Sequence, residues 1–243
     1  MVDETGAIAR LRGFLRDGRA HQVVTINTDF ARLAQGDPAF RAILNAADLA
    51  VADGTPIVWL SRLLGNGLPA RVAGLELMEA SCRLAAESGV GVFLLGARPG
   101  VAAEAARVLQ VRHPGLRIAG TACPPFGEWT VAEEAEVVEA IGRAGRCVLF
   151  VAFGAPRQDR FIAAHLAELD VPIAMGVGCG FDIIAGTQVR APQWMRRSGL
   201  EWLWRLAHEP QRLAGRYLLR DAPFLVRSAI RAVTSTRGTA ARA

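Results

Sequence analysis

Cys147-Val148-Leu149-Phe150-Val151-Ala152-Phe153-Gly154-Ala155-Pro156-Arg157-Gln158-Asp159 holds the pattern from which the rest of the chain can be read. Its first seven residues are apolar without alternation. A run of that length suits a strand buried on both faces, as in a parallel sheet. Gly154 then permits close backbone approach, and Pro156 suits a first helical turn. Helical periodicity follows over 158–169, and Gln158 is placed to reach back over the strand end. Strand, glycine turn and helix follow one another in the order of a βα unit.

The same unit recurs outward in both directions. Short apolar runs at 22–26, 49–52, 91–95, 116–120 and 172–177 are bounded by Gly, Pro or Asp. Segments 75–88, 101–112 and 131–143 repeat their apolar residues with a period near 3.6. This alternation predicts an α/β fold: a Rossmann-like, mostly parallel sheet with helices on both faces, occupying residues 1–189. Ligands of such sheets bind beyond the carboxyl ends of the strands.

Composition narrows the class. The 243 residues are 51% hydrophobic and 21% charged, which excludes intrinsic disorder. No run of 18 apolar residues marks a membrane span, and the N-terminus lacks the apolar core of a signal peptide. Four scattered cysteines, none in a CxxC pair, read as reduced thiols of a cytosolic protein. Charge is uneven. Residues 1–187 hold 17 Arg and 20 acidic residues, whereas residues 188–243 hold 11 Arg and 3 acidic residues. Lysine is absent throughout. After about Val189 the pattern becomes Trp194, Trp202, Leu203 and Leu218 among arginines. That predicts a basic, amphipathic, helical C-terminal appendage over 190–243, of two or three helices broken near Pro210 and Pro223, with an anionic partner.

Candidate chemistry gathers at the predicted strand ends. Thr25-Ile26-Asn27 offers small polar groups to a ligand, although Thr28 or Asp29 could also be capping a helix there. Asp53-Gly54 can supply a general base or a ribose contact, or simply a turn. Gly96, Gly154 with Pro156, and Gly176 with Gly178 form three glycine-rich strand ends suited to phosphate. Asp182 can accept bonds from a ribose or a base. Arg71, just before a helix, can neutralise phosphate. HExxH, GxSxG and DxD motifs are absent. The missing GxGxxG after the first strand argues against an NAD-dependent sugar-nucleotide enzyme. No helix-turn-helix or RNA-binding motif supports nucleic-acid binding through the basic tail.

In order, Thr25-x-Asn27, Asp53-Gly54, Arg71-x-x-Gly74, Leu94-Leu95-Gly96, Gly154-Ala155-Pro156-x-Gln158, Gly176-Val177-Gly178 with Phe181-Asp182, Arg190-Ala191-Pro192-x-Trp194 and Gly199-Leu200-Glu201-Trp202-x-x-Arg205 followed by Glu209-Pro210-x-Arg212 resemble the WecG/TagA/CpsF family of bacterial glycosyltransferases. Ala52, Asp159 and Gly180 depart from residues common in that family. Residues 124–129, PPFGEW, are distinctive and carry no assigned role.

The resemblance implies inverting, metal-independent transfer of N-acetylmannosamine, its uronic acid or glucose. The donor would be a UDP-sugar and the acceptor a polyprenyl-diphosphate-linked saccharide, on the inner face of the cytoplasmic membrane. It implies no cofactor, an anionic membrane surface as partner, and permits homo-oligomers. Asp53 would be the base, with Thr25, Asn27, Gln158 and Arg71 beside it. Gly54 and the other strand-end glycines, Pro156 and Asp182 would line the substrate. Arg205, Arg212 and Arg216 of the appendage would face the leaving diphosphate.

Overall fold

The computed structural model describes residues 2–65 and 67–240, without the side chains of Arg197, Arg212 and 233–240. Six strands form one sheet: β1 (Gln22–Ile26), β2 (Leu49–Ala52), β3 (Gly91–Gly96), β4 (Ile118–Ala122), β5 (Cys147–Ala152) and β6 (Ala174–Gly176). Their spatial order is β2-β1-β6-β5-β3-β4, and every pairing is parallel. β5 is buried at every residue. Val148 and Phe150 point into one core and Leu149 and Val151 into the other, the period of two that a doubly covered strand requires.

Helices cover both faces. α1 (Glu4–Phe14), α5 (Gly74–Ser88), α6 (Val101–Arg112) and the short α9 (Gly180–Ile184) share the core of Leu11, Leu77, Leu94 and Phe150. α7 (Val131–Arg143) and α8 (Arg157–His165) close the opposite face over Phe93, Leu149 and Ile162. α2 (Thr28–Gly36) and α3 (Pro38–Ala46) pack Phe30 and Phe40 on Val24 beside them. α4 (Thr55–Leu63) follows β2 directly.

Several predicted bounds shift, among them those of β4, β6 and α8. β4 begins at Ile118 rather than at 116, because Leu116 is core while its backbone lies outside the ladder. α8 stops at His165, and the apolar residues beyond it pack as a turn.

The appendage differs from its predicted outline. It comprises α10 (Gln193–Arg197), α11 (Glu201–His208), α12 (Pro210–Arg216), a π-helical turn over Tyr217–Asp221, and α13 (Ala222–Ala240). Pro210 opens a helix, but Pro223 breaks none. It is the second residue of α13, and its clash with the carbonyl four residues back falls on Leu219, inside the widened turn. Leu213 and Phe224 are buried, and ion pairs tie this region to the sheet domain. Among the described residues no helix is long and apolar enough to cross a membrane.

The chain leaves β1 for β2 on one side and β3 for β4 on the other. The direction therefore reverses across β6, which opens a crevice at the carboxyl ends of β1, β6 and β5.

Candidate active site

Asp53 stands one residue past β2 at this crevice. Gly54, at φ 146°, supplies the backbone conformation that turns the chain into α4. Asp53 Oδ2 accepts the backbone N–H of Gly74 at 3.1 Å. A side chain at Gly74 would crowd that contact. A Cβ there would lie 3.1 Å from Asp53 Oδ2 and 3.3 Å from Thr25. Thr25, Asp53 and the start of α5 are thus one packed unit. Burial pushes the Asp53 carboxyl above its ordinary range, opposed by Arg71 and by the Gly74 N–H and reinforced by Glu201 and Glu76.

Asn27 resolves the capping question in its own favour. Its Oδ1 accepts from Asp29 N and Phe30 N, so Asn27, not Thr28 or Asp29, caps α2. With the oxygen committed to the helix, the amide NH2 is what Asn27 can offer a ligand. Thr25 is buried at the end of β1.

Arg71 sits between Asp53 and the appendage. Its Nε lies 3.8 Å from Asp53 Oδ1, Nη2 donates to Glu201 Oε2 at 2.7 Å, and Nη1 donates to the Arg196 carbonyl at 3.1 Å. In the first turn of α5, Glu76 receives both Arg190 and Arg196. The guanidinium read from sequence as a phosphate ligand is therefore also a tie between the two parts of the chain.

Gln158 is buried beneath the glycine turns. Its Oε1 accepts the N–H of Gly154 and of Gly178, each at 3.1 Å, and so clamps the turns after β5 and β6 together. Gly176 makes room for it, since a Cβ there would lie 2.3 Å from Gln158 Nε2. Pro156 opens α8. Gly96, the last residue of β3, leaves room for the Phe153 ring, to which a Cβ would approach within 2.8 Å. Asp182, in the first turn of α9, accepts from Arg98 Nη2 at 2.9 Å and from Thr187 Oγ1 at 3.2 Å.

Three cavities adjoin along the crevice. The first, of about 420 Å³, is lined by Asn27, Asp53, Trp59, Trp202, Arg205, Arg216 and Tyr217. The second, of about 590 Å³, shares Arg205 with the first and adds Cys179 and Asp182. The third, of about 510 Å³, shares Arg98 and Asp182 with the second and continues past Gly96 to Phe126. Arg205 donates to Cys179 Sγ at 3.3 Å, between the Asp53 side and the Asp182 side. Arg216 Nε lies 3.5 Å from both Asp29 and Asp221. The Arg212 side chain lies outside the described residues. Among the described residues, no three His, Cys, Asp or Glu side chains converge to hold a metal ion.

Sequence reasoning missed Glu201, Asp221, Trp59, Trp202 and Tyr217 as cleft residues. A usable signal existed for the two acids. The basic tail has only three acidic residues, and two of them reach across to the sheet domain, Glu201 to Arg71 and Asp221 to Arg32. The third, Glu209, accepts from Gln188. Asp221 is nearly inaccessible, and its carboxyl is raised by burial and by the neighbouring Asp29.

A parallel sheet with a carboxylate and a line of cavities at its carboxyl edge defines an α/β enzyme of the nucleotide-binding type of architecture. The chain belongs to the glycosyl transferase WecG/TagA/CpsF family, whose family model matches residues 1–238, and it is a glycosyltransferase. It is 32% identical over 199 residues to the N-acetylglucosaminyldiphosphoundecaprenol N-acetyl-beta-D-mannosaminyltransferase of Bacillus spizizenii, covering 82% of this chain and 76% of that one. The proteins of the same name from Bacillus subtilis and Staphylococcus aureus are 30% and 31% identical. Those matches cover 78% and 79% of this chain, and 72% and 73% of theirs.

Proposed function

We propose that this glycosyltransferase moves a sugar from a UDP-sugar to a polyprenyl-diphosphate-linked saccharide, with inversion and without a metal, in the synthesis of a cell-surface polysaccharide. The observation that carries the reading is Asp53: a carboxylate raised by burial, on the wall of a cavity that it shares with aromatic side chains, Arg205 and Arg216, and with two further acids, Glu201 and Asp221, the first of which is paired with Arg71 and the second with Arg32. The names of the relatives supply the acceptor class, and among N-acetylmannosamine, its uronic acid and glucose they favour N-acetylmannosamine.

In this mechanism Asp53 takes the proton of the acceptor hydroxyl. The hydroxyl oxygen attacks the anomeric carbon, and UDP departs from the opposite face. Thr25 and the Asn27 amide hold the sugar. Gln158 acts on the donor by fixing the two glycine turns against which its diphosphate lies. Asp182 accepts from the ribose or the base. Charge growing on the leaving diphosphate is met by Arg205, which faces both sides of the crevice, together with Arg212 and Arg216. The appendage carries these cations, so catalysis is coupled to its docking on an anionic membrane at the inner face of the cytoplasmic membrane. Exposed Trp59, Trp194, Trp202 and Leu219 add apolar contact there.

The test is UDP release from a panel of UDP-sugars (N-acetylmannosamine, its uronate, glucose, N-acetylglucosamine) with lipid-linked acceptor, with and without EDTA. Release with one donor, unchanged by EDTA, is expected. Failure of the protein to bind UDP at all overturns the reading.

A further inference from the structure

The first half of the segment without a sequence-level role, residues 124–126, forms one wall of the third cavity, which Asp182 also lines and Asp53 does not. Two observations make it a constructed wall. Cys123 Sγ donates to the Ala97 carbonyl, and Trp129 Nε1 donates to the Pro125 carbonyl at 2.8 Å, which closes the turn on itself. Trp129 packs edge-on against Phe153 and Phe161 and lies under the Arg157 guanidinium, 4.4 Å from its ring centre. Two consecutive prolines narrow the conformations open to the segment. At its tip stands Phe126, fully exposed and yet lining the cavity. An apolar ring held in solvent by an anchored turn lacks only a flat partner.

We propose that Phe126 is the stacking platform for the pyrimidine base of the donor nucleotide, and that Arg157 reads that base. The inference rests on the UDP-sugar reading above and deepens it. Arg157 lines the same cavity with its guanidinium 4.4 Å from the Trp129 ring centre, and a guanidinium stacked on a ring keeps its N–H edge free for hydrogen bonding. A uracil ring on Phe126 presents carbonyl oxygens to that edge. Cytosine carries an amine donor at one of those positions, where Arg157 would oppose it. Phe126 thus supplies affinity for any pyrimidine base, and Arg157 the preference for uracil.

The experiment is calorimetric titration of the full chain with UDP, CDP and inorganic pyrophosphate, on wild type, Phe126→Ala, Phe126→Trp and Arg157→Gln. Base–aromatic stacking is lost on truncation to alanine, so Phe126→Ala should weaken UDP by roughly 5- to 150-fold. It should leave pyrophosphate unchanged, and Phe126→Trp should restore UDP binding. Arg157→Gln should narrow the UDP-over-CDP preference. Unchanged UDP affinity in Phe126→Ala, or equal weakening of UDP and pyrophosphate, overturns the proposal while leaving the transferase reading intact. Absence of UDP binding by wild type overturns both. Phe126 is solvent-exposed, and circular dichroism checks that each variant retains the fold.

Discussion

Exchanging one oxygen of Asp53 for nitrogen removes the proposed base with almost no change in shape. A positioned base contributes roughly 10²–10⁴-fold, so Asp53→Asn should lower kcat by about that factor, with UDP affinity maintained. Because burial raises this carboxyl, the acidic limb of kcat/KM should fall at a higher pH than an ordinary aspartate would give, and the variant should lose that limb. Wild-type turnover by Asp53→Asn would sink the assignment. A second carboxyl makes a prediction about stability. Asp159 is 1% exposed, neither of its oxygens has a hydrogen-bond partner, and burial pushes it up from 3.8 to about 7. The folded state therefore keeps a proton that the unfolded chain releases between those two values. Stability should fall as pH rises through that window, by on the order of 4 kcal/mol in total. Thermal melts across that range should show the slope, and Asp159→Asn should flatten it. Identical slopes in both proteins would exclude Asp159 as the source. Asp53 and Asp182 were legible as residues in the sequence. Their partners were not, because Gly74, Arg98 and Glu201 stand 21, 84 and 148 positions away along the chain.

At the level of elements, β1, β2, α6 and α7 coincide with their apolar patterns residue for residue. Each is bounded by a residue whose local chemistry ends or starts it, such as Thr130 with Glu133 at the head of α7. The discrepancies share one cause. Apolarity reports burial, whereas strand and helix are defined by backbone pairing. Leu116 and Ile173 are core residues outside the strands beside them, and Leu169 is core beyond the end of α8. Pro223 misled for a related reason, since proline opposes a helix interior and tolerates its first turn. Gln158 shows what patterns cannot carry. Its spacing placed it at a strand end, but its task, joining two turns 24 residues apart by one oxygen, exists only once β5 and β6 are neighbours.

For the whole molecule, the uneven charge of the sequence becomes a surface. Arg220 and Arg227 are exposed beside Leu219 and Val226 on the last helical segments. Flotation with vesicles should show binding to anionic bilayers that weakens as salt rises. Replacing both arginines by glutamine should reduce that binding by roughly 30-fold, at about 1 kcal/mol per charge, with neutral vesicles unaffected. Binding that ignores both salt and these residues would leave the apolar side chains as the only contact. Truncation at residue 190 should abolish transfer as well, since Arg71 would lose Glu201 and the crevice would lose Arg205.

Arg205 belongs to the cavity of Asp53 and to the cavity of Asp182 at once. A guanidinium shared in this way cannot be engaged from one side without altering what it offers the other. In the proposed mechanism, a donor and an acceptor meeting across Arg205 would therefore be thermodynamically linked. Whatever factor the first imposes on the affinity of the second, the second returns in full to the first.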